Sequence, residues 1–332
     1  MTDPTPPWRK RKGDSEGRLA WLTGLTEAWR LLGPNRRAVV VLNYHKVERA
    51  EFAEQLDALL SRWRAVSLGE AVAYAADGRP RGEWRFAVTF DDGAADFLEG
   101  AYPELVARGV PATVYSIPGL MGQVPFWERV DAAFAGSAAP EFRWAGRTWD
   151  HSPGRRAART RKAILHALKR LTDIPRREDL VAELETALAA VRRPDPGPPP
   201  LRLMTWEETA RLDPKLIDIG GHSQFHPSLG RAEPEVLRRE VADCRRVLRE
   251  RLGREVRDYC YPYGRRVDVS RAAAEATRQA GYRSAVTSIT GFAGPGVDLY
   301  RIPRVGFTGR EPPHTVAARM TGVGRIFKSA EG

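Results

Sequence analysis

The sequence predicts an α/β fold in which parallel strands alternate with helices, as a sheet or a barrel, with a helical insertion. Three observations carry this reading. From Ala38 onward short apolar runs alternate with stretches of helical spacing. Motifs rich in Asp, His and Tyr fall directly after such runs, and parallel α/β folds gather their functional groups at the carboxyl ends of strands. The alternation then breaks between about Pro125 and Pro200, where the leucine spacing is helical.

Each element has a local reason. Residues 1–37 form a basic leader followed by a helical pattern in which Trp21, Leu22, Leu25, Trp29 and Leu32 share one apolar face. Two readings stay open: a helix packed on the domain, or a basic amphipathic segment resting on an anionic membrane. Strands are expected at Val39–Asn43, Phe86–Phe90, Ala112–Ile117, Leu216–Ile219, Tyr259–Tyr261 and Ser284–Thr287. Helices are expected where Leu98, Tyr102, Leu105 and Val106 recur, where Leu237, Val241, Cys244, Leu248 and Leu252 recur, and over about Ser270 to Ala280. Thr205-Trp206-Glu207-Glu208 has the pattern of a capping box. Within the insertion, Leu165, Leu168 and Leu171, then Leu180, Leu184 and Leu188, predict two helices. Pro194, Pro196, Pro198, Pro199 and Pro200 close the stretch, since proline cannot continue a helix. The main domain is expected over 38–310 with its insertion at about 125–200. Residues 311–332 are expected as a C-terminal tail, with His314 in a loop.

Composition narrows the function classes. Of 332 residues, 42% are hydrophobic and 29% charged, which excludes wholesale disorder, collagen and coiled coil. The net charge of +11 suits an anionic partner. No aromatic-and-basic recognition motif accompanies it, so nucleic acid is not expected. Cys244 and Cys260 are too few for a disulfide framework or a thiolate zinc site, although one bridge between them stays open. No apolar run approaches the ~20 residues of a membrane span. Asp14 and Glu16 stand where a secretory signal needs its apolar stretch. A cytoplasmic protein with at most peripheral membrane contact is therefore expected.

Two motifs carry chemistry. Thr89-Phe90-Asp91-Asp92-Gly93 follows a strand, and adjacent side chains at a strand end point different ways. One carboxylate can bind a metal while its neighbour stays free to take a proton; Asp-Gly is also an ordinary turn signal. Gly220-Gly221-His222-Ser223-Gln224-Phe225-His226-Pro227 also follows a strand. If the segment makes one helical turn, its two imidazoles share a side and can grip one cation. Pro227 and the glycines also mark a loop or short turn, a usual place for ligands on a rigid scaffold. Two imidazoles and one carboxylate leave a divalent ion, with zinc favoured, an open position for water. The residues alone thus point to metal-assisted hydrolysis, with the spare carboxylate as base.

A third segment, Tyr261-Pro262-Tyr263-Gly264, completes an order of motifs. That order, Thr-Phe-Asp-Asp-Gly, then His-Ser-x-x-His-Pro, then Tyr-Pro-Tyr-Gly, resembles the polysaccharide deacetylase family of NodB-like carbohydrate esterases over about residues 38–310. Asn43-Tyr44-His45-Lys46-Val47 resembles the branch that includes exopolysaccharide deacetylases of the poly-N-acetylglucosamine type. The resemblance implies a distorted (β/α) barrel of parallel strands, often fewer than eight. It implies removal of N-acetyl groups from amino sugars of a polysaccharide or lipid-linked glycan. Asp91 then reads as the catalytic base, and Asp92, His222 and His226 as the metal ligands. The backbone N–H of Tyr263 reads as the oxyanion donor and His45 as the general acid. Arg301-Ile302-Pro303-Arg304-Val305 resembles a Leu-Pro-Arg-Ile stretch of related members, so Arg304 is expected to orient Asp91 and keep it ionised. Trp127 and Tyr261 are candidate aromatic contacts for the sugar. Other readings are hydrolysis of a different C–N amide on the same scaffold, or a carbohydrate-binding relic.

Overall fold

The computed structural model describes residues 38–77, 84–195 and 197–322. The expected helix of residues 1–37 and the end of the expected tail lie outside the described residues, as does Pro196.

Ten strands are described: β1 (Val40–Tyr44), β2 (Arg64–Ala65), β3 (Arg85–Phe90), β4 (Ala112–Ser116), β5 (Glu141–Trp144), β6 (Arg147–Asp150), β7 (Ile217–Gly221), β8 (Asp258–Cys260), β9 (Ser284–Thr290) and β10 (Ile302–Gly306). Seven of them, β1, β3, β4, β7, β8, β9 and β10, pair in parallel, and the pairing of β1 with both β3 and β10 closes the ring into a barrel. The short β2 adds a parallel pairing at the start of β3. Closure is uneven. β7 and β8 meet only through Gly221 and Tyr259, and β10 shifts register against β9 between Ile302 and Arg304.

The six expected strands all form, with ends displaced by at most three residues. β10 was not expected as a strand. Its Pro303 and two arginines break the apolar run that marked the others. Alternation along β1 divides two cores. Val40, Leu42 and Tyr44 join the main cluster beneath the outer helices, while Val39 and Val41 join a second cluster with Ala87, Tyr115, Cys260 and Val286.

The helices follow their stripes. Thr205 accepts from the Glu208 amide while the Glu208 carboxylate accepts from the Thr205 amide, so the capping box forms. Ser270 caps helix Arg271–Gln279. The stripe from Leu237 to Leu252 widens into a π-helical turn over Arg238–Asp243 before helix Cys244–Leu252. Helix Pro313–Thr321 carries His314 in its first turn and sinks Val316, Ala317 and Met320 into the main core, so the packed domain runs past residue 310. Both cysteines are free and buried, and no bridge joins them.

The insertion contains three helices, Phe126–Gly136, Arg155–Leu168 and Ile174–Leu188, around a core of its own. It also contains the unexpected β5–β6 hairpin, with Phe142 and Trp144 buried and Glu141 and Arg143 exposed. The two-residue turn uses Ala145 and Gly146, both in left-handed conformation. That is the backbone a tight hairpin needs. Its alanine replaces the usual Asn-Gly signal, which hid the turn.

Candidate active site

Five non-glycine residues among those described adopt positive φ: Asp92, Ala145, Ser223, His226 and Tyr263. All but Ala145 lie around one depression at the carboxyl ends of the barrel strands. Such conformations are unfavourable for residues with a Cβ and cluster where function fixes them.

The turn after β3 shows why two adjacent aspartates face different ways. Asp92 has φ 71 and Gly93 φ 70, so the chain reverses sharply after Asp91. Asp91 is 3% exposed and turned to the barrel interior. Arg304 Nη1 donates to its Oδ1 at 2.7 Å and Arg304 Nη2 to its Oδ2 at 2.6 Å. The register shift in β10 puts Arg304 into this position, as bulges do when they re-aim a side chain. Burial pushes Asp91 up, but the Arg304 charge and hydrogen bonds prevail and hold it at about 2. The Cys260 thiol lies 3.4 Å from Asp91 Oδ1 and 3.2 Å from Arg304 Nη2.

Asp92 turns instead towards the two histidines. Its Oδ1 stands 3.4 Å from His222 Nε2 and 3.5 Å from His226 Nε2, and the two Nε2 atoms are 3.2 Å apart. The histidines do not share a helical turn. The segment after β7 is a loop in which Ser223 and His226 are left-handed and the Ser223 hydroxyl accepts from the His226 amide at 2.8 Å. The imidazoles converge because the loop folds back, not because of helical spacing. Gly220 and Gly221 let β7 deliver that loop. A Cβ on Gly220 would stand 2.4 Å from the Tyr115 ring, and one on Gly221 would stand 2.3 Å from the Tyr282 hydroxyl.

These three residues fit a divalent ion. Ligand atoms at ~2.1 Å around a tetrahedral zinc stand about 3.4 Å from one another, which matches the observed triangle. His222 Nδ1 lies 2.8 Å from the Cys260 carbonyl and donates to it, so Nε2 is the nitrogen turned to Asp92. Burial opposes a charge on His222, but Cys260 and Asp92 push it upward, so an ion would take the place of the Nε2 proton. Burial, followed by the nearby His222, pushes His226 down to about 3, which keeps it neutral and able to ligate. Burial raises Asp92, but the His222 hydrogen bond and His226 outweigh it and keep the carboxylate well below its ordinary range.

The remaining expected residues divide. His45, just past β1, is half exposed with Nε2 3.8 Å from Asp91 Oδ2. Trp127, on the first insertion helix, has its ring 4.6 Å from that of His226 and lines the cleft with His45, Lys46, Asp91, Asp92 and Glu128. It serves packing and cleft wall together. Tyr263 sits with its ring 4.7 Å from that of His226 and its hydroxyl 3.4 Å from the His226 carbonyl. Tyr261 is not at the site. It is 1% exposed, packed in the main core against Tyr259, and its hydroxyl donates to the Tyr300 carbonyl. Side chains alternate along the strand, so Tyr259 and Tyr261 share the core face while Cys260 between them faces Asp91.

Two residues that support the histidine loop were not singled out from the sequence. Glu240, in the π-helical turn and fully buried, accepts from the Phe225 amide at 2.8 Å. Arg177, from the insertion and fully buried, donates to the Phe225 carbonyl at 2.9 Å. A charged residue on a buried helical stripe was the available signal for both.

Residues 184–285 match the polysaccharide deacetylase family. The match spans the histidine loop and Tyr263, while the aspartate pair lies before it. The overall fold is shared with solved structures of that family. It is similar to the Streptococcus pyogenes deacetylase PplD in complex with acetate, at 17% identity and TM-score 0.56, over 85% of this chain and 98% of that one. It is similar to IcaB from Ammonifex degensii, at 21% identity and TM-score 0.56, over 86% of this chain and 97% of that one. It is also similar to BC0361, a polysaccharide deacetylase from Bacillus cereus, at 15% identity and TM-score 0.52, over 85% and 69%. A search of the curated proteins finds no match. No helix among the described residues is long and apolar enough to cross a membrane.

Proposed function

We propose that the protein is a metal-dependent hydrolase that removes N-acetyl groups from amino sugars of a glycan. The observation that carries this reading is the division of labour between adjacent carboxylates: Asp91 clamped by Arg304, and Asp92 facing His222 and His226. A divalent ion held by Asp92, His222 and His226, with zinc favoured by the donor set, would polarise an acyl oxygen and lower the pKa of water.

The chain's own residues supply the proton transfers. Asp91, ionised and with no proton to give up, takes one from the attacking water. The two hydrogen bonds from Arg304 fix which carboxylate lone pairs face that water. The Tyr263 amide, at a turn with φ 61, donates to the developing oxyanion, where preorganised donors contribute most. His45 gives a proton to the departing amine, and its exposure lets it regain one from solvent. Trp127 offers an apolar face to the sugar. Acetate and a free amino sugar leave. The reading places the enzyme's work on a glycan within reach of the cytoplasmic membrane surface, through the basic segment of residues 1–37.

The test is acetate release from an N-acetylglucosamine oligomer before and after chelation, and after zinc is restored. Chelator-sensitive, zinc-restored release is expected, and Asp91→Asn should abolish it while metal stays bound. Metal bound without any release would point to another amide on the same scaffold. Neither metal nor release would leave a carbohydrate-binding relic.

A further inference from the structure

Helix Arg155–Leu168 on the insertion contains five arginines and lysines and no acidic residue. Arg155, Arg159, Lys162 and His166 recur at spacings of four, three and four. At 100° per residue they fall within about 60° of one another and form a stripe roughly 16 Å long. All four are exposed, while Ile164 and Leu168 on the opposite face are buried in the insertion core. The side chains of Arg155, Arg159 and Lys162 form no ion pair among the described residues.

This arrangement works against the helix. Arg155 and Arg156 occupy the first turn, where the macrodipole disfavours cations, and Gly154 offers no side-chain cap. Like charges three and four residues apart add repulsion. Other arginine-rich helices of the protein resolve the same problem internally. Arg246 pairs with Glu250 at 2.9 Å, Arg249 with Glu255 at 2.8 Å, and Arg238 with Glu235 at 2.7 Å. On the insertion helix Arg156 pairs with Asp150 and Arg161 with Asp131, but Arg155, Arg159 and Lys162 stay unanswered among the described residues.

The stripe also leads somewhere. Lys169, just past the helix, lies 4.4 Å from the Tyr263 ring and 3.6 Å from Asp268, which in turn binds Arg265. Burial, then the charges of Lys169, Arg170 and Arg265, depress His166 against the opposing Asp268, so the positive charge at this end comes from those neighbours and not from His166. Tyr263 borders the metal-binding histidines. The line of positive charge therefore runs along the insertion to the edge of the candidate active site.

We propose that this stripe is a docking track for an anionic glycan strand, one bearing carboxylates or phosphates, whose amino sugar enters the site. The inference rests on the N-deacetylase reading for the site itself and adds the substrate's charge. A linear row that ends at the site fits a chain-like polyanion threaded past the Tyr263 turn. The cations steer and hold the strand, and the chemistry remains with the residues already described.

The test compares a neutral N-acetylglucosamine oligomer with an oligomer of alternating N-acetylglucosamine and glucuronate of equal length. The full-length enzyme and the triple variant Arg155→Gln/Arg159→Gln/Lys162→Gln are assayed side by side. Glutamine keeps helix propensity and removes only charge. For the wild type, kcat/KM on the anionic oligomer should exceed that on the neutral one by about ten-fold at low salt. The advantage should vanish near 1 M salt, where the Debye length falls to ~3 Å. In the triple variant the neutral rate should be unchanged and the anionic advantage lost. Equal rates in the wild type, or an advantage that survives the substitutions, would overturn the proposal. Calorimetric binding of both oligomers to both proteins decides the track independently of turnover. If neither oligomer is hydrolysed but the anionic one binds in a stripe-dependent way, the deacetylase reading fails and the track stands. If the stripe instead governs binding to anionic phospholipid vesicles and not to the oligomer, the surface meets a membrane and the proposal is wrong.

Discussion

Arg304 holds Asp91 by two parallel hydrogen bonds of 2.7 and 2.6 Å, both residues being almost wholly buried. A bidentate arginine fixes a carboxylate in rotation as well as in charge, which a lysine at the same place cannot do.

Replacing Arg304 by Met should therefore act twice. Burial alone raises the Asp91 pKa, and Arg304 is the main opposing influence. Without it the folded-state pKa rises from about 2, so the acid limb of kcat/KM should move to higher pH. In the wild type the depressed pKa means that the Asp91 contribution to stability is present above the unfolded value and lost as pH falls towards 2. The variant should lose that contribution at neutral pH, and an unpaired buried carboxylate typically costs about 3–5 kcal/mol. Arg304→Lys should retain charge but not geometry, giving a smaller loss of stability and a large loss of kcat. An unmoved acid limb in the Met variant would remove Arg304 from its role.

The metal set makes a separable prediction. Asp92→Asn keeps volume and removes the charge facing His222 and His226. Zinc affinity, read by competition with a chromophoric chelator, should fall by at least ten-fold, whereas Asp91→Asn should leave it nearly unchanged. Acidification should release the ion from the wild type because protons compete for imidazole and carboxylate. Similar affinities for the two Asn variants would mean that the carboxylates do not divide their work.

Tyr261 offers a control. Its hydroxyl donates to the Tyr300 carbonyl at 3.0 Å inside the core. Tyr261→Phe should lose about 1 kcal/mol of stability and leave kcat/KM within about two-fold, whereas Trp127→Ala should raise KM. A rise in KM for Tyr261→Phe would return that residue to the sugar site.

What was legible in the sequence follows from distance along the chain. Strands such as β1 and β3 are contiguous apolar runs, and Asp91 and Asp92 stand beside each other, so pattern and chemistry coincide locally. The approach of Arg304 to Asp91 spans 213 residues and reached the sequence reading only through a family resemblance. The two histidines were expected to converge either through one helical turn or from a loop. A four-residue spacing suggests a helix, whereas left-handed Ser223 and His226 bring about the same convergence in a loop. Tyr261 was misplaced because motif membership says nothing about the face of a strand. Glu240 and Arg177 escaped notice because each acts on the loop through a backbone group of Phe225, and backbone partners leave no trace in side-chain patterns.

Arg177 yields the last prediction. It reaches from the insertion to the Phe225 carbonyl, in the peptide that joins Phe225 to the ligand His226. Its guanidinium lies over the Phe126 ring, and its Nε and Nη1 find no hydrogen-bond partner among the described residues, the Glu178 carboxylate standing 3.6 Å from Nε as a loose ion pair. Holding a buried cation with unsatisfied donors is unfavourable, so replacement by Met should change global stability little or even raise it. The loop, however, loses the donor that fixes the left-handed turn at His226, where φ is 60. Groups that orient a ligand typically govern metal affinity by about 10–100-fold. Arg177→Met should therefore weaken zinc binding within that range while the thermal midpoint stays near the wild-type value. A destabilised protein with undiminished zinc affinity would show that the insertion merely packs against the barrel and does not set its metal site.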